Sequence, residues 1–428
     1  MIQSHRKTIS ETLGRNPVHP FPARMAPGIA LDILSTKKKR LRVLDPMMGS
    51  GTVLAVARSR GHRAVGVDVD PLAVLISRVW TTTTDVHQVE RKAAKVLERA
   101  RTIFQRMRVR DAYPKYADEE TREFIRYWFD PYVRRQLASL AIAISRSHDK
   151  SIRNVLWCGF SRLIITKQSG ASLASDLAHS RPHKVYKAAP FKPFRKFCHA
   201  VSQVSGNCIT RKNENRGPAP QIYNGDARKL TMRGGTVDLV LTSPPYLNAI
   251  DYMRCSKFTL VWMGYSVSGI RKIRNGIIGT EAGDQDAVRD RATKRIMRAL
   301  KLDNKFTGRD KAILARYIAD MRRSVSEVAR VLAPGGRAIY VVGENTIHGN
   351  FIPNSAIVEK VARSSGLRLS IRRTRKLPTN RRYLPPPSRQ TPVATLDTRM
   401  AREVVLAFRK PRPRVKTRFK NYGRLLAA

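Results

Sequence analysis

The chain of 428 residues holds only four cysteines, Cys158, Cys198, Cys208 and Cys255, and no two of them form a CxxC pair. That argues against a disulfide framework and for a reducing compartment. No apolar run approaches the roughly 20 residues of a membrane span. The start, Met1-Ile2-Gln3-Ser4-His5-Arg6-Lys7, leads into no signal-peptide core. The expectation is a soluble, cytoplasmic protein. The nine histidines form no HExxH pattern, and no metal is expected. Acidic residues are scarce too: 32 Asp and Glu stand against 82 Lys and Arg, a formal net charge of +50. No small acidic substrate calls for that imbalance. A polyanion does, because each cation laid against a phosphate releases condensed counterions. Nucleic acid is the leading partner, ahead of an anionic membrane surface.

What is present reads as an α/β pattern. The apolar strand Leu41-Arg42-Val43-Leu44-Asp45 runs into Pro46-Met47-Met48-Gly49-Ser50-Gly51-Thr52 and then a helix, Val53 to Arg60. A second strand, Arg63 to Asp68, precedes a helix opened by Pro71, where proline loses no hydrogen bond. Strand, glycine turn, helix, strand, helix is the signature of a parallel sheet. A basic helical stretch (Val86 to Arg110), an aromatic one (Thr121 to Arg146) and a polar, proline-bearing region from Thr166 follow. Strand patterning resumes at Val237 to Leu241, before a long helix from Lys311 to Leu332 and a strand from Arg337 to Gly343. Two further strands are expected around Leu367 to Arg372 and Glu403 to Phe408. The division expected is 1–80, the first part of a catalytic domain; 81–215, a mostly helical basic insertion; 216–410, the rest of that domain; and 411–428, a basic tail.

Gly49-Ser50-Gly51 is neither a P-loop, lacking the GxxxxGK[ST] spacing, nor a dinucleotide GxGxxG. Its companions give it meaning. Asp68 closes the next strand, and a strand-end acid in a parallel sheet can hold ribose hydroxyls. Asp226 is a third strand-end acid, suited to a purine amine. Together they amount to a nucleoside-cofactor site. The sharpest local signal is Ser243-Pro244-Pro245-Tyr246. Two prolines confine the backbone and leave carbonyl oxygens free to accept. With a serine before them and a tyrosine after, the loop suits a base taken out of its helix, amine on oxygen and ring on ring.

At these residues a family appears. Asp45-Pro46-Met47-Met48-Gly49-Ser50-Gly51-Thr52 resembles the methyl-donor loop of the amino-methylating DNA methyltransferases, and Ser243-Pro244-Pro245-Tyr246 resembles their catalytic motif in its cytosine-N4 form. His19-Pro20-Phe21-Pro22-Ala23-Arg24-Met25 is similar to the family's motif ahead of the donor loop. The resemblance implies a class I (Rossmann-like) methyltransferase fold, with a seven-stranded, mostly parallel sheet and a helical insertion that reads the target. It implies S-adenosylmethionine as donor, held by Phe21, Asp45, Pro46, Gly49, Gly51, Thr52, Asp68 and Asp226. Catalysis would fall to Ser243, Pro244, Pro245 and Tyr246, with cytosine N4 as acceptor and double-stranded DNA as substrate. Adenine N6, an RNA base, and a non-catalytic binder of the same fold stand as alternatives. Cytosine C5 chemistry would need a cysteine in a Pro-Cys context, which no cysteine here has. Arg181 and His183 in the insertion, Arg254 and Lys257 after the catalytic motif, and Arg381 and Arg382 near the end are the expected phosphate or base contacts. No endonuclease motif is legible, which suits a solitary or separately partnered modification enzyme.

Overall fold

The computed structural model describes residues 7–21, 25, 27–35, 39–166, 169–179, 182–210, 217–247, 251–280, 290–347, 350–376 and 402–413. Seven strands form its main sheet: β1 (Arg42–Asp45), β2 (Arg63–Asp68), β3 (Gln221–Asn224), β4 (Val237–Thr242), β5 (Leu332–Gly343), β6 (Arg368–Lys376) and β7 (Arg402–Arg409). Their order is β6-β7-β5-β4-β1-β2-β3. Pairs from β3 across to β5 are parallel, and β7 alone runs against both its neighbours. This is the seven-stranded, mostly parallel Rossmann-like sheet expected from the sequence. The chain winds outward from β1 through β2 to β3, then crosses back to lay β4 on the other side of β1. That reversal opens a crevice at the carboxyl ends of β1 and β4, where ligands of such sheets bind.

The inner strands are apolar on both faces because both are covered. Leu44 and Val240 point into one core with Val325 and Val328 of the helix Gly308–Val331. Val43, Leu239 and Leu241 point into the other, with Leu54 of the helix Thr52–Ser59. The helix Pro71–Thr81 starts as expected, with Pro71 in its first turn and the Asp70 carboxylate accepting from the Leu72 amide at 2.8 Å.

Three parts differ from the sequence reading. The aromatic stretch is two helices, Glu119–Trp128 and Pro131–Ser145, because Asp130 caps the second at the Val133 amide (2.9 Å) and Pro131 opens it. Helices Lys150–Ile164 and Pro193–Ser205 occupy segments in which no helix was read. β5 begins at Leu332, ahead of the glycine pair expected to precede it. Its register jumps from Val237 opposite Leu332 to Leu239 opposite Arg337, so Pro334-Gly335-Gly336 forms a bulge inside the strand. The helices between β2 and β3, Trp80 among their residues, share one core with Phe258 and Trp262, which follow Ser243-Pro244-Pro245-Tyr246. Phe129 meets Trp262 edge-on at 5.3 Å, and Phe124 meets Phe258 at the same distance. Among the described residues no helix is long and apolar enough to cross a membrane.

Candidate active site

The two signature loops leave neighbouring strands and meet at the crevice. Thr242, the last residue of β4, donates its hydroxyl to Asp45 Oδ1 at the end of β1, 2.7 Å away and fully buried. The same oxygen accepts the Met47 amide at 3.2 Å, which turns the chain into the glycine loop. Gly51 has φ of 85°, and a Cβ there would lie 2.2 Å from Ser77 Oγ of the helix Pro71–Thr81. Only glycine allows this approach, so the loop packs tightly against that helix. Asp68, closing β2, accepts the Gly49 amide at 2.8 Å with one oxygen and the Asp70 amide at 2.9 Å with the other. The strand-end acid therefore shapes the loop. The buried Ser50 and Thr52 hydroxyls have no hydrogen-bond partner among the described residues. Orphaned polar atoms in a glycine cradle beside an acid fit a polar nucleoside ligand.

The loop Ser243-Pro244-Pro245-Tyr246 is held from behind. Ser243 donates its hydroxyl to the Val341 carbonyl of β5 at 3.0 Å. With its proton committed there, the serine oxygen keeps its lone pairs for another donor. Pro244 is buried, and Tyr317 of the long helix donates its phenol to the Pro245 carbonyl at 3.3 Å. Asn345 holds the Leu247 carbonyl and is itself fixed by Asn354 at 2.7 Å. Half-buried Tyr246 packs on the core while its hydroxyl lies 3.4 Å from Ser243 Oγ. The motif was legible in sequence, but its supports were not. Val341, Tyr317 and Asn354 lie about 70 to 110 residues further on and carry no local signal of this role.

The remaining expected contacts fall in different places. Phe21 is buried and stacks on Tyr252 with ring centroids 6.0 Å apart, tying the segment ahead of β1 to the helix Tyr252–Leu260. Asp226 gives both oxygens to Arg228, whose guanidinium also reaches Asp320 at 2.7 Å and the Gly276 carbonyl at 2.6 Å. Its first job is to lock β3 to the long helix. Arg254 pairs with Asp251 at 3.2 Å, a carboxylate that Arg274 holds more closely at 2.6 Å. Lys257 lies over the Phe124 ring at 4.4 Å, with its pKa lowered mainly by burial, so it packs as much as it projects. His183 is exposed on a two-residue strand beside Lys184, which sits over Tyr127. Arg181, Arg381 and Arg382 lie outside the described residues. Among the described residues no His, Cys, Asp and Glu cluster could hold a metal ion.

Asp70 escaped the sequence reading altogether. Beside capping its helix it accepts the Ser256 hydroxyl at 2.6 Å, joining the start of the helix Pro71–Thr81 to the helix Tyr252–Leu260. Burial, with a smaller push from the Asp68 charge, raises both Asp45 and Asp70 from 3.8 to about 7. The native protein then binds more protons than the unfolded chain between about pH 4 and 7, so these groups contribute stability at low pH that fades as pH rises through about 7. Urea unfolding of the parent and of Asp70→Asn should show this directly. The parent's stability relative to the variant should decline from about pH 4 to about pH 7 and level off above it, and a constant difference would make Asp70 an ordinary surface-like carboxylate.

No family model matches the chain. It is 23% identical over 418 residues to the type II methyltransferase M.MvaI of Kocuria varians, covering 91% of this chain and 89% of that one. It is 18% identical to the type II methyltransferase M.BsoBI of Geobacillus stearothermophilus, over 76% of this chain and 73% of the relative. A solved SAM-dependent methyltransferase of Methanosarcina mazei aligns with 89% of this chain and 97% of its own, at 9% identity and a TM-score of 0.31. The likeness to DNA methyltransferases read from the two loops is thus borne out by curated relatives, the M.MvaI match running along 91% of this chain.

Proposed function

We propose that this relative of the type II methyltransferases modifies DNA, moving the methyl group of S-adenosylmethionine to the exocyclic N4 of a cytosine turned out of its helix. The observation that carries the reading is the committed proton of Ser243. An exocyclic amine is a poor nucleophile while its lone pair is delocalised into the ring. A serine oxygen that can only accept, next to a proline carbonyl, takes the amine's two hydrogens and favours the tetrahedral form that attacks. Among the described residues nothing donates to the Pro244 carbonyl, which suits it to that second role.

When bound, the cofactor would supply an electrophilic sulfonium methyl, and the amine that accepts it would release one of its two protons to solvent. The chain's own residues bind and orient it. The loop at Gly49 and Gly51 cradles the amino-acid end, Asp68 holds the ribose, and the Ser50 and Thr52 hydroxyls meet polar groups they otherwise lack. Asp45 and Thr242, bridging β1 and β4, set the spacing between donor loop and acceptor loop. Catalysis is then alignment and charge placement more than acid–base chemistry. Tyr246 stacks on the extruded base. Phe21 and Tyr252, stacked together, flank the donor loop, and Asp226 lies toward the adenine while fixed by Arg228. Arg254, Lys257 and His183 face the phosphates.

Incubating DNA with the protein and labelled cofactor, then resolving the nucleosides by mass spectrometry, tests the polymer, base and atom at once. N4-methylcytosine is expected. N6-methyladenine would keep the loop's role and overturn the base, and label found only in RNA would overturn the polymer. Tyr246→Ala should weaken hold on the flipped base by roughly 1–3 kcal/mol, read as a rise in KM for DNA with cofactor affinity unchanged.

A further inference from the structure

The geometry points to a second DNA contact on the flank of the molecule: a basic cavity that takes backbone phosphates away from the methyl-transfer crevice. The inference rests on the DNA reading above and adds to it a surface that neither signature loop touches. The cavity, of about 930 Å³, lies between the helices Arg291–Ala299, Gly308–Val331 and Asn354–Ser364. Five cations line it, Arg295, Arg322, Arg323, Lys360 and Arg363, against one carboxylate, Asp290.

That carboxylate is already engaged. It caps its helix by accepting the Thr293 amide at 2.9 Å, and it pairs with Arg322. Arg363 is held by Glu359 at 3.0 Å. Arg295, Arg323 and Lys360 are exposed and make no ion pair among the described residues. Gathering like charges round one hollow opposes folding unless an anion joins them.

The position separates this hollow from the crevice. Ala319, Arg322, Arg323 and Ser326 occupy the face of the long helix opposite buried Tyr317, Met321, Val325 and Val328. Tyr317 marks the catalytic end through Pro245. Ser326 lies nine residues further along, about 13 Å down the axis toward the amino end of β5. A duplex held at the crevice would have to extend past the target site, or bend round the flank, to reach it. The exposed cations are spread over three helices, and the space far exceeds one phosphate. Both features suit a stretch of polymer backbone better than a single small anion.

The test is a triple variant, Arg295→Gln, Arg323→Gln and Lys360→Gln, compared with the parent on a short duplex confined to the target site and on a long one. On long DNA the slope of log affinity against log salt should become shallower by about 2–3, at about 0.9 for each phosphate no longer neutralised. Methyl transfer on the short duplex and cofactor binding by calorimetry should stay as in the parent. An unchanged slope on long DNA, while the parent binds and methylates, would overturn this flank site alone. A parent that does not bind duplex DNA would overturn the DNA reading with it. Loss of inorganic tripolyphosphate binding with no change in the DNA slope would make the hollow a small-anion site and equally overturn the assignment.

Discussion

Raising salt from 50 to 200 mM should weaken the protein's hold on duplex DNA by roughly 10³–10⁵, the change that about 6–10 phosphate contacts produce. The expectation comes from where the excess charge sits. Some cations are spent internally, as Arg228 on Asp226 and Asp320, or Arg375 on Glu403 at 2.5 Å. Many are not. The helix Val86–Arg106 buries only Val89, Ala93, Val96 and Ala100, one narrow stripe, and turns Arg91, Lys92, Lys95, Arg99 and Arg101 to solvent. A solvated face needs no such bias of sign. A face that tracks phosphates does, and each contact made there releases counterions that added salt returns. Fluorescence anisotropy with a labelled duplex across that range gives the slope. A nearly flat plot would assign the charge to some partner other than DNA.

The parts of this fold that could be read beforehand were those with a local physical cause. β1, the glycine turn and the helix after it announce themselves through an apolar run, a residue able to take positive φ, and an apolar periodicity. Pro71 likewise announces the start of a helix, as a ring that needs no amide there. Asp130-Pro131 carried the same signal within the aromatic stretch, where the aromatic pattern on both sides masked the break. Lys150–Ile164 was missed for a different reason. It is buried on most sides, so its apolar residues follow no single stripe.

In the site, the residues proposed to touch ligand sit in short contiguous motifs, whereas the residues that hold them come from anywhere in the chain. Ser243 could be named from four letters. The Val341 carbonyl that takes its proton, and Tyr317 behind Pro245, are neighbours only once β4 and β5 pair and the long helix packs across them. Asp226 shows the converse. Its place after a strand suggested a ligand contact, and Arg228, two residues on, gives its carboxylate structural work as well. Arg372 likewise pairs with Glu359 at 3.0 Å, on the edge strand β6, whose charges also discourage strand-to-strand association.

Ser243→Ala should slow the methyl-transfer step by about 10²–10³, the usual cost of deleting one preorganised hydrogen-bonding group at a reacting centre. The hydroxyl's proton goes to Val341, so what the variant removes from the crevice is an acceptor aimed at the amine. That contact strengthens as the nitrogen becomes nucleophilic and gains little in the ground state, so the loss should fall on kcat and spare KM for DNA. Folding should suffer by only about 1 kcal/mol, the net worth of one hydrogen bond to a strand carbonyl. Cofactor affinity should not move, because the donor loop leaves β1 and is braced by Asp45 and Asp68. Ser243→Thr keeps the oxygen and should recover most of the rate, which no purely structural account of the residue requires. Single-turnover transfer with labelled cofactor, run beside calorimetric titration of the same variants, separates these quantities. A Ser243→Ala protein as fast as the parent would remove the serine from the mechanism and leave the Pro244 carbonyl to carry the amine alone.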